Sequence, residues 1–410
     1  MRSILSISAW LSATVFLGQG GWRANPDIVA RASAQRSDTN YEETRVPAYT
    51  LPDLLGSGAT VIKKPAEWNS RRDEILNLFR ANVYGRSPGR PEHLAFTVVE
   101  EDLSAMGGAA TLRRVNIVSR QGQRSHQFEL TLFLPNRAGA APMFVLINNR
   151  PPSNTDPARK EKSGFWPAEQ LIARGYGIAA FQCSELAPDD KATYRDRVMT
   201  LFAPAADGPA TYTWSALAAW AWGASRAMDY LVTDVRVNAA RVAIVGHSRG
   251  GKAALWAAAE DQRFAMAISN ESGEGGAALS RRSYGETISH INTTFPHWFT
   301  DTYKTFNGRP AALPIDQYML LALIAPRALY VASADEDLWS DPRGEFLSLA
   351  ASSPVFALWG DAAIAEDSMP ALDTPLVNGR RGYHVRAGGH DLTPYDWNRF
   401  ADFADRVWAK

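Results

Sequence analysis

Gly246-His247-Ser248-Arg249-Gly250 follows the apolar run Val242–Val245 and precedes an alanine-rich stretch. A serine hydroxyl is a weak nucleophile until a base takes its proton. The flanking pattern supplies the geometry such chemistry needs. A strand turning sharply into a helix holds the serine at strained backbone angles, and side chains two before and two after it would collide. Glycine at both positions removes those collisions. The hydroxyl then stands at the carboxyl edge of a sheet and at a helix N-terminus, where free N–H groups favour a developing oxyanion. The expected chemistry is acyl transfer through a serine ester.

Seven histidines could supply the base. His390, in Gly388-Gly389-His390-Asp391 before a C-terminal helical pattern, is the candidate, because nucleophile first and histidine last is the chain order of α/β-hydrolases. His247 adjoins the nucleophile but should point away and pack. His93, His126 and His384 read as structural or solvated, and His290 and His297 lie in an insertion that could line the cleft. The acid that orients the imidazole has two candidate places. Glu271 follows one buried strand, in Ile268-Ser-Asn-Glu271-Ser-Gly; Asp337 follows the next, in Ala332-Ser-Ala-Asp-Glu-Asp337. Asp335 or Glu336 could substitute for Asp337. Two acids serving one histidine would titrate as a coupled set. Lys252, four residues after Ser248, lies on the same helix face. Arg249 follows the nucleophile, where a guanidinium adds charged donors near the oxyanion. Trp339, beside the acidic loop, offers a flat aromatic face. The chain has neither an H-E-x-x-H nor an H-x-x-E-H spacing, and Cys183 is its single cysteine. A metal hydrolase is therefore disfavoured, no cofactor is required, and Cys183 reads as a buried structural thiol.

Met143–Ile147, Tyr176–Phe181, Val242–Val245, Ala265–Ile268 and Ala328–Ala332 are apolar runs suited to strands buried on both faces of a parallel sheet. Phe96–Glu100, Leu112–Val118 and Gln127–Leu134 alternate and read as antiparallel, half-exposed strands. Helical patterns occupy Pro65–Gly85, Trp214–Leu231, Lys252–Ala259, Glu345–Ala351 and Tyr395–Trp408. Strands alternating with helices predict an α/β protein of the α/β-hydrolase fold. Its mostly parallel central sheet is the middle of a three-layer α/β/α sandwich with right-handed crossovers. Arg2 and the apolar stretch Ile4–Gly18 resemble a secretory leader, too short for a membrane span. Cleavage could follow Ala32-Ser33-Ala34 or fall near Gly18–Gly21. Residues 1–37 are expected outside the fold, 35–47 as a polar tether, and 38–410 as one catalytic domain, exported to the periplasm or beyond. Lys plus Arg equals Asp plus Glu at 43 each, so nothing in the charge favours a nucleic acid or a membrane surface. A monomer is expected.

From about Leu51 onward the chain resembles the glucuronoyl esterases, family fifteen of the carbohydrate esterases. The matching residues are Pro65-Ala-Glu-Trp68, Asn82-Val-Tyr-Gly-Arg86, Gly246-His-Ser-Arg-Gly-Gly-Lys252, Asn270-Glu-Ser-Gly-Glu-Gly-Gly276, Gly285-Glu286, Phe295-Pro-His-Trp298 and Asp337-Leu-Trp339. The resemblance implies a single-domain α/β-hydrolase with an open cleft. Its substrate would be the ester between a xylan-borne glucuronic acid, often 4-O-methylated, and a lignin alcohol. It implies Ser248 as nucleophile, His390 as base, Glu271 or Asp337 as acid and Arg249 at the oxyanion. Lys252, Glu286 and Trp339 would hold the sugar. Glu274 departs from the pattern, standing where members carry a small residue. The alternative is an acetyl xylan or other carbohydrate esterase of the same fold. A non-catalytic carbohydrate-binding relative is a third reading, opposed by the intact Ser248, His390 and acids.

Overall fold

Ten strands form one sheet in the computed structural model, which describes residues 21–56, 61–137, 139–203 and 213–408. In chain order they are β1 (His93–Asp102), β2 (Ala110–Gln121), β3 (Arg124–Pro135), β4 (Ala141–Asn148), β5 (Gly177–Gln182), β6 (Val237–His247), β7 (Met266–Asn270), β8 (Ala328–Ala334), β9 (Leu376–Asn378) and β10 (Arg381–Arg386). The spatial order is β1-β2-β3-β5-β4-β6-β7-β8-β10-β9. The block from β5 to β10 is parallel. β1, β2 and β3 extend it antiparallel at one end, and β9 does so at the other.

The central strands are apolar on both sides because both sides are covered. Met143, Val145, Ile147, Val242 and Ile244 join one hydrophobic cluster, with the helices Ala216–Leu231 and Arg249–Glu260. The alternate residues Phe144, Leu146, Ala243 and Val245 join the other, with the C-terminal helix Pro394–Trp408. This is the α/β/α sandwich of an α/β-hydrolase. Fully burying such side chains contributes roughly 1.5–3 kcal/mol each. Outer strand β1 has no strand beyond it among the described residues, and most of it is exposed. Cys183 is buried, and that burial pushes its thiol up to about 12.

The N-terminal expectation needs correction. Ile4–Gly18 lies outside the described residues, but Pro26–Gln35 is a helix and not a leader outside the fold. Asn25 caps it by accepting from Asp27 N at 2.8 Å, and Pro26 stands in its first turn. Ile28 packs with Tyr41, Tyr284 and Leu338 in a small separate core. Residues 35–47 are correspondingly no free tether, because Tyr41 is buried and Glu43 pairs with Arg282 at 2.7 Å.

Candidate active site

Ser248 stands between the end of β6 and the helix Arg249–Glu260, at φ 56° and ψ −127°. That positive φ is the strain of a nucleophile elbow. A Cβ on Gly246 would lie 2.0 Å from Gly250 O, and one on Gly250 would lie 3.1 Å from Ile147 O. Gly246 is thus required by the backbone's own close approach, and a side chain at 250 would crowd the end of β4. Ser248 N donates to Asn270 O at 2.8 Å, tying the elbow to the end of β7.

Parallel pairing of β8 with β10 brings the acidic loop beside the Gly388-Gly389 loop. Asp335 N donates to Arg386 O at 2.9 Å, Glu336 N donates to Gly388 O at 3.1 Å, and Gly388 N donates to Asp335 Oδ1 at 2.8 Å. Asp335 is therefore occupied in joining loops, and the exposed Glu336 points to Arg31 at 3.7 Å. Asp337 and Glu271 instead meet the histidine. His390 Nδ1 stands 2.7 Å from Asp337 Oδ2 and 3.2 Å from Glu271 Oε2. The His390 ring lies 4.4 Å from that of His247, the residue preceding Ser248. Base and nucleophile segments are thus on one side of the molecule.

Burial by itself would lower the His390 pKa, but the charges and hydrogen bonds of Asp337 and Glu271 prevail and push it up to about 10. Burial pushes Glu271 up to about 8, against a hydrogen bond from His390 and the charge of Arg386. His247 is fully buried between Asn270 Oδ1, 2.6 Å from Nδ1, and Arg150, 3.4 Å from Nε2. Burial and the neighbouring His390 hold it well below the usual range, so its imidazole stays neutral.

The rest of the rim is charged and mostly buried. Arg249 Nε contacts Asp189 Oδ2 at 2.6 Å, and its Nη2 donates to Asn149 O at 3.1 Å. Asp189 also accepts from Trp298 Nε1 at 2.6 Å and lies 2.9 Å from His297 Nε2. Lys252 Nζ donates to Ser272 O and stands 3.8 Å from Glu286 Oε2. Burial lowers the Lys252 pKa and raises that of Glu286. Glu286 N donates to Trp339 O at 2.9 Å. Glu274 is buried and accepts from Ser280 Oγ at 2.8 Å and Tyr303 Oη at 2.5 Å. Burial pushes it up to about 8. The residue that departs from the family pattern is thus buried and hydrogen-bonded.

The model of the family described as "Glucuronyl esterase, fungi" matches residues 115–360. The chain belongs to the glucuronoyl esterases, carbohydrate esterase family 15. It is 38% identical to the carbohydrate esterase MZ0003 of an unknown prokaryotic organism, over 94% of each chain. It is 29% identical to 4-O-methyl-glucuronoyl methylesterase 1 of Phanerochaete chrysosporium, over 76% of this chain and 62% of that protein's length. A solved glucuronoyl esterase from Solibacter usitatus superposes with a TM-score of 0.83 at 42% identity, covering 90% of this chain and 100% of the other.

Three contributions to this family 15 site escape a reading of the sequence. Arg386 donates to Glu271 Oε1 at 2.7 Å, Asp396 Oδ2 at 3.0 Å, Gly389 O at 3.0 Å and Asp391 O at 2.6 Å. One guanidinium thereby holds both an acid and the loop that carries His390. Its signal was a charge at the end of a buried strand. Glu345 accepts from Ser272 N at 2.8 Å, Gly273 N at 3.0 Å and Ser333 Oγ at 2.6 Å, fixing the turn after Glu271. Asp189 carries no local signal, since its partners lie about 60 to 110 residues away. Ligand atoms of Glu271, Asp337 and His390 lie within 4.8 Å of one another. Both carboxylates converge on the same imidazole nitrogen and Arg386 already neutralises Glu271, so this donor set suits a supported imidazolium better than a cation.

Proposed function

We propose that this protein is a serine esterase that hydrolyses esters of glucuronic acid, including the 4-O-methylated sugar where xylan is joined to lignin. The observation that carries the reading is two carboxylates meeting His390 Nδ1 while the ring packs beside the elbow. With Nδ1 committed, Nε2 is the nitrogen left to take the Ser248 proton. Ser248 Oγ attacks the ester carbonyl carbon, and His390 returns the proton to the departing alcohol. Water then attacks the acyl-enzyme with His390 again as base, releasing the uronic acid and restoring Ser248. No cofactor enters this sequence. Arg249 and the N–H groups at the helix start stabilise the oxyanion, while Lys252 and Glu286 hold ring hydroxyls.

Arg249→Ala is expected to lower kcat by about 10²–10³ with little change in KM, the loss typical for one oxyanion donor. Asp189→Asn removes the charge that aims the guanidinium and should reproduce part of that loss. A steady-state comparison on methyl glucuronate that found kcat unchanged in Arg249→Ala would remove it from the oxyanion.

A panel of methyl glucuronate, benzyl glucuronate, methyl galacturonate and acetylated xylan tests the substrate class. Glucuronate esters are expected to be turned over best. Lys252→Ala should raise their KM while leaving acetyl-ester hydrolysis nearly unaffected, because the acyl group of a uronate ester carries ring hydroxyls for that pair and an acetyl group carries none. Acetylated xylan as the best substrate would turn the assignment to the acetyl esterase reading.

We also propose export, with leader cleavage near Gly18–Gly21. Cleavage after Ala34 would sever the helix Pro26–Gln35 and its contacts with Tyr41, Tyr284 and Leu338. No helix among the described residues is long and apolar enough to cross a membrane.

A further inference from the structure

Trp339 is not the bare platform that its position in the acidic loop suggests. The Arg36 guanidinium carbon lies 3.9 Å from the centre of its ring, and His290 stacks at 5.4 Å with 25° between planes. Arg36 is delivered there by the end of the capped helix Pro26–Gln35. The segment is fastened to the sugar-side loops at several more points. Gly285 N donates to Asn40 O at 2.9 Å, immediately before Glu286. Gly285 itself sits at φ 61°, where a Cβ would lie 2.5 Å from Trp339 O. Tyr41 meets Tyr284 edge-on at 6.1 Å, and Glu43 reaches Arg282. Asn40, Gly285, Glu286 and Trp339 thus form one chain of backbone contacts, with Arg36 laid over its end.

Arg36 is exposed, and among the described residues its side chain forms no ion pair. A guanidinium stacked on an indole is held by its face, while its N–H donors radiate in its own plane. Charged, outward-facing, unpaired donors at the rim of a carbohydrate cleft suit sugar hydroxyls. Trp339 O and Glu286 belong to the inner part of the site, where the uronate would sit. Glu286 is buried and Trp339 half-buried, whereas Arg36 on the face of Trp339 is exposed.

We propose that Arg36 is a substrate-binding residue that takes hydroxyl groups of the sugar to which the esterified uronate is attached. The inference rests on the uronate-ester reading, and it makes the N-terminal segment part of the specificity of the site. The test compares Arg36→Ala and Arg36→Lys with the parent on methyl glucuronate and on the methyl ester of a glucuronate-bearing xylotriose. For the oligosaccharide ester, Arg36→Ala should raise KM about 5- to 10-fold with kcat within twofold, the size of one partly exposed charged hydrogen bond. Arg36→Lys should recover part of the loss. Methyl glucuronate, which has no further sugar, should show a KM change of less than twofold. An unchanged KM for the oligosaccharide, or an equal rise on both substrates, overturns the proposal, as does an equal fall in kcat on both. Calorimetric binding of the same oligosaccharide ester to Ser248→Ala, with and without Arg36→Ala, needs no turnover. Weaker binding in the double variant upholds the contact even if the esterase reading fails, and equal affinity removes it.

Discussion

Ser248→Ala is expected to lower kcat on methyl glucuronate by at least about 10⁴-fold while leaving the protein folded. The size follows from the loss of covalent catalysis as a whole, because the other triad members act only through the nucleophile, so a single removal approaches the effect of removing the set. What survives should be the rate supported by oxyanion donors and substrate positioning alone. The fold should tolerate the change because alanine meets the same strain at φ 56° as serine does. Neither glycine requirement at 246 or 250 is altered, and the backbone bond from residue 248 to Asn270 O is retained. A melting temperature within a few degrees of the parent, with KM or ligand affinity preserved, separates lost chemistry from lost structure. Turnover within tenfold of the parent would sink the assignment of Ser248, whatever the family of the chain.

The elbow was legible in the sequence because its constraints are local. Gly246 and Gly250 answer to contacts within a few residues or to the adjoining β4 strand, and the apolar runs of β4 and β6 answer to burial on both faces. The acid loop was only half legible. Asp335, Glu336 and Asp337 are equivalent in a string of letters. They were separated only by pairing with β10, which takes Asp335 for Gly388 N and leaves Asp337 for His390. Arg386 and Asp189 lay beyond reach for the same reason, since their partners come from loops brought together by sheet order. The N-terminal helix is a different case. Asn25-Pro26-Asp27 is a helix start by residue type, with cap, first-turn proline and acidic first turn. The residues on either side add no support to that signal, since Ile4–Gly18 has leader-like composition and 35–47 is a polar run without helical periodicity. Its apolar face is narrow, with Ile28 its buried residue, so periodicity gave little help.

The pair of acids should prove partly redundant, and the second large effect is therefore expected in a double variant. Both carboxylates contact His390 Nδ1, and either can hold the imidazole in the tautomer that leaves Nε2 free. Glu271→Gln or Asp337→Asn alone is expected to cost about 10-fold in kcat, and the two together about 10³–10⁴-fold, near the loss seen when a triad acid is neutralised outright. A double loss well beyond the product of the singles is the signature of groups that substitute for each other. The pH dependence has a definite sign. Carboxylates stabilise the imidazolium and raise the His390 pKa, to about 10 with both present. The base acts when neutral, so kcat/KM rises as pH climbs through that value. Removing one acid lowers the His390 pKa, and the rising limb must move to lower pH in each single variant and further in the double, even as the plateau falls. The two singles should still differ in kind. Asp337 Oδ2 reaches His390 at 2.7 Å, while Glu271 also accepts from Arg386 and from Asp391 N at 2.9 Å. A glutamine at 271 turns an amide N–H toward one of these donors, so Glu271→Gln should loosen the histidine loop as well as remove charge. It should lower the melting temperature more than Asp337→Asn does. Pre-steady-state acylation rates across pH 5–11 would read the shift of the limb and thermal melting the difference in stability, and a double variant with parent-like kcat would exclude both carboxylates from catalysis.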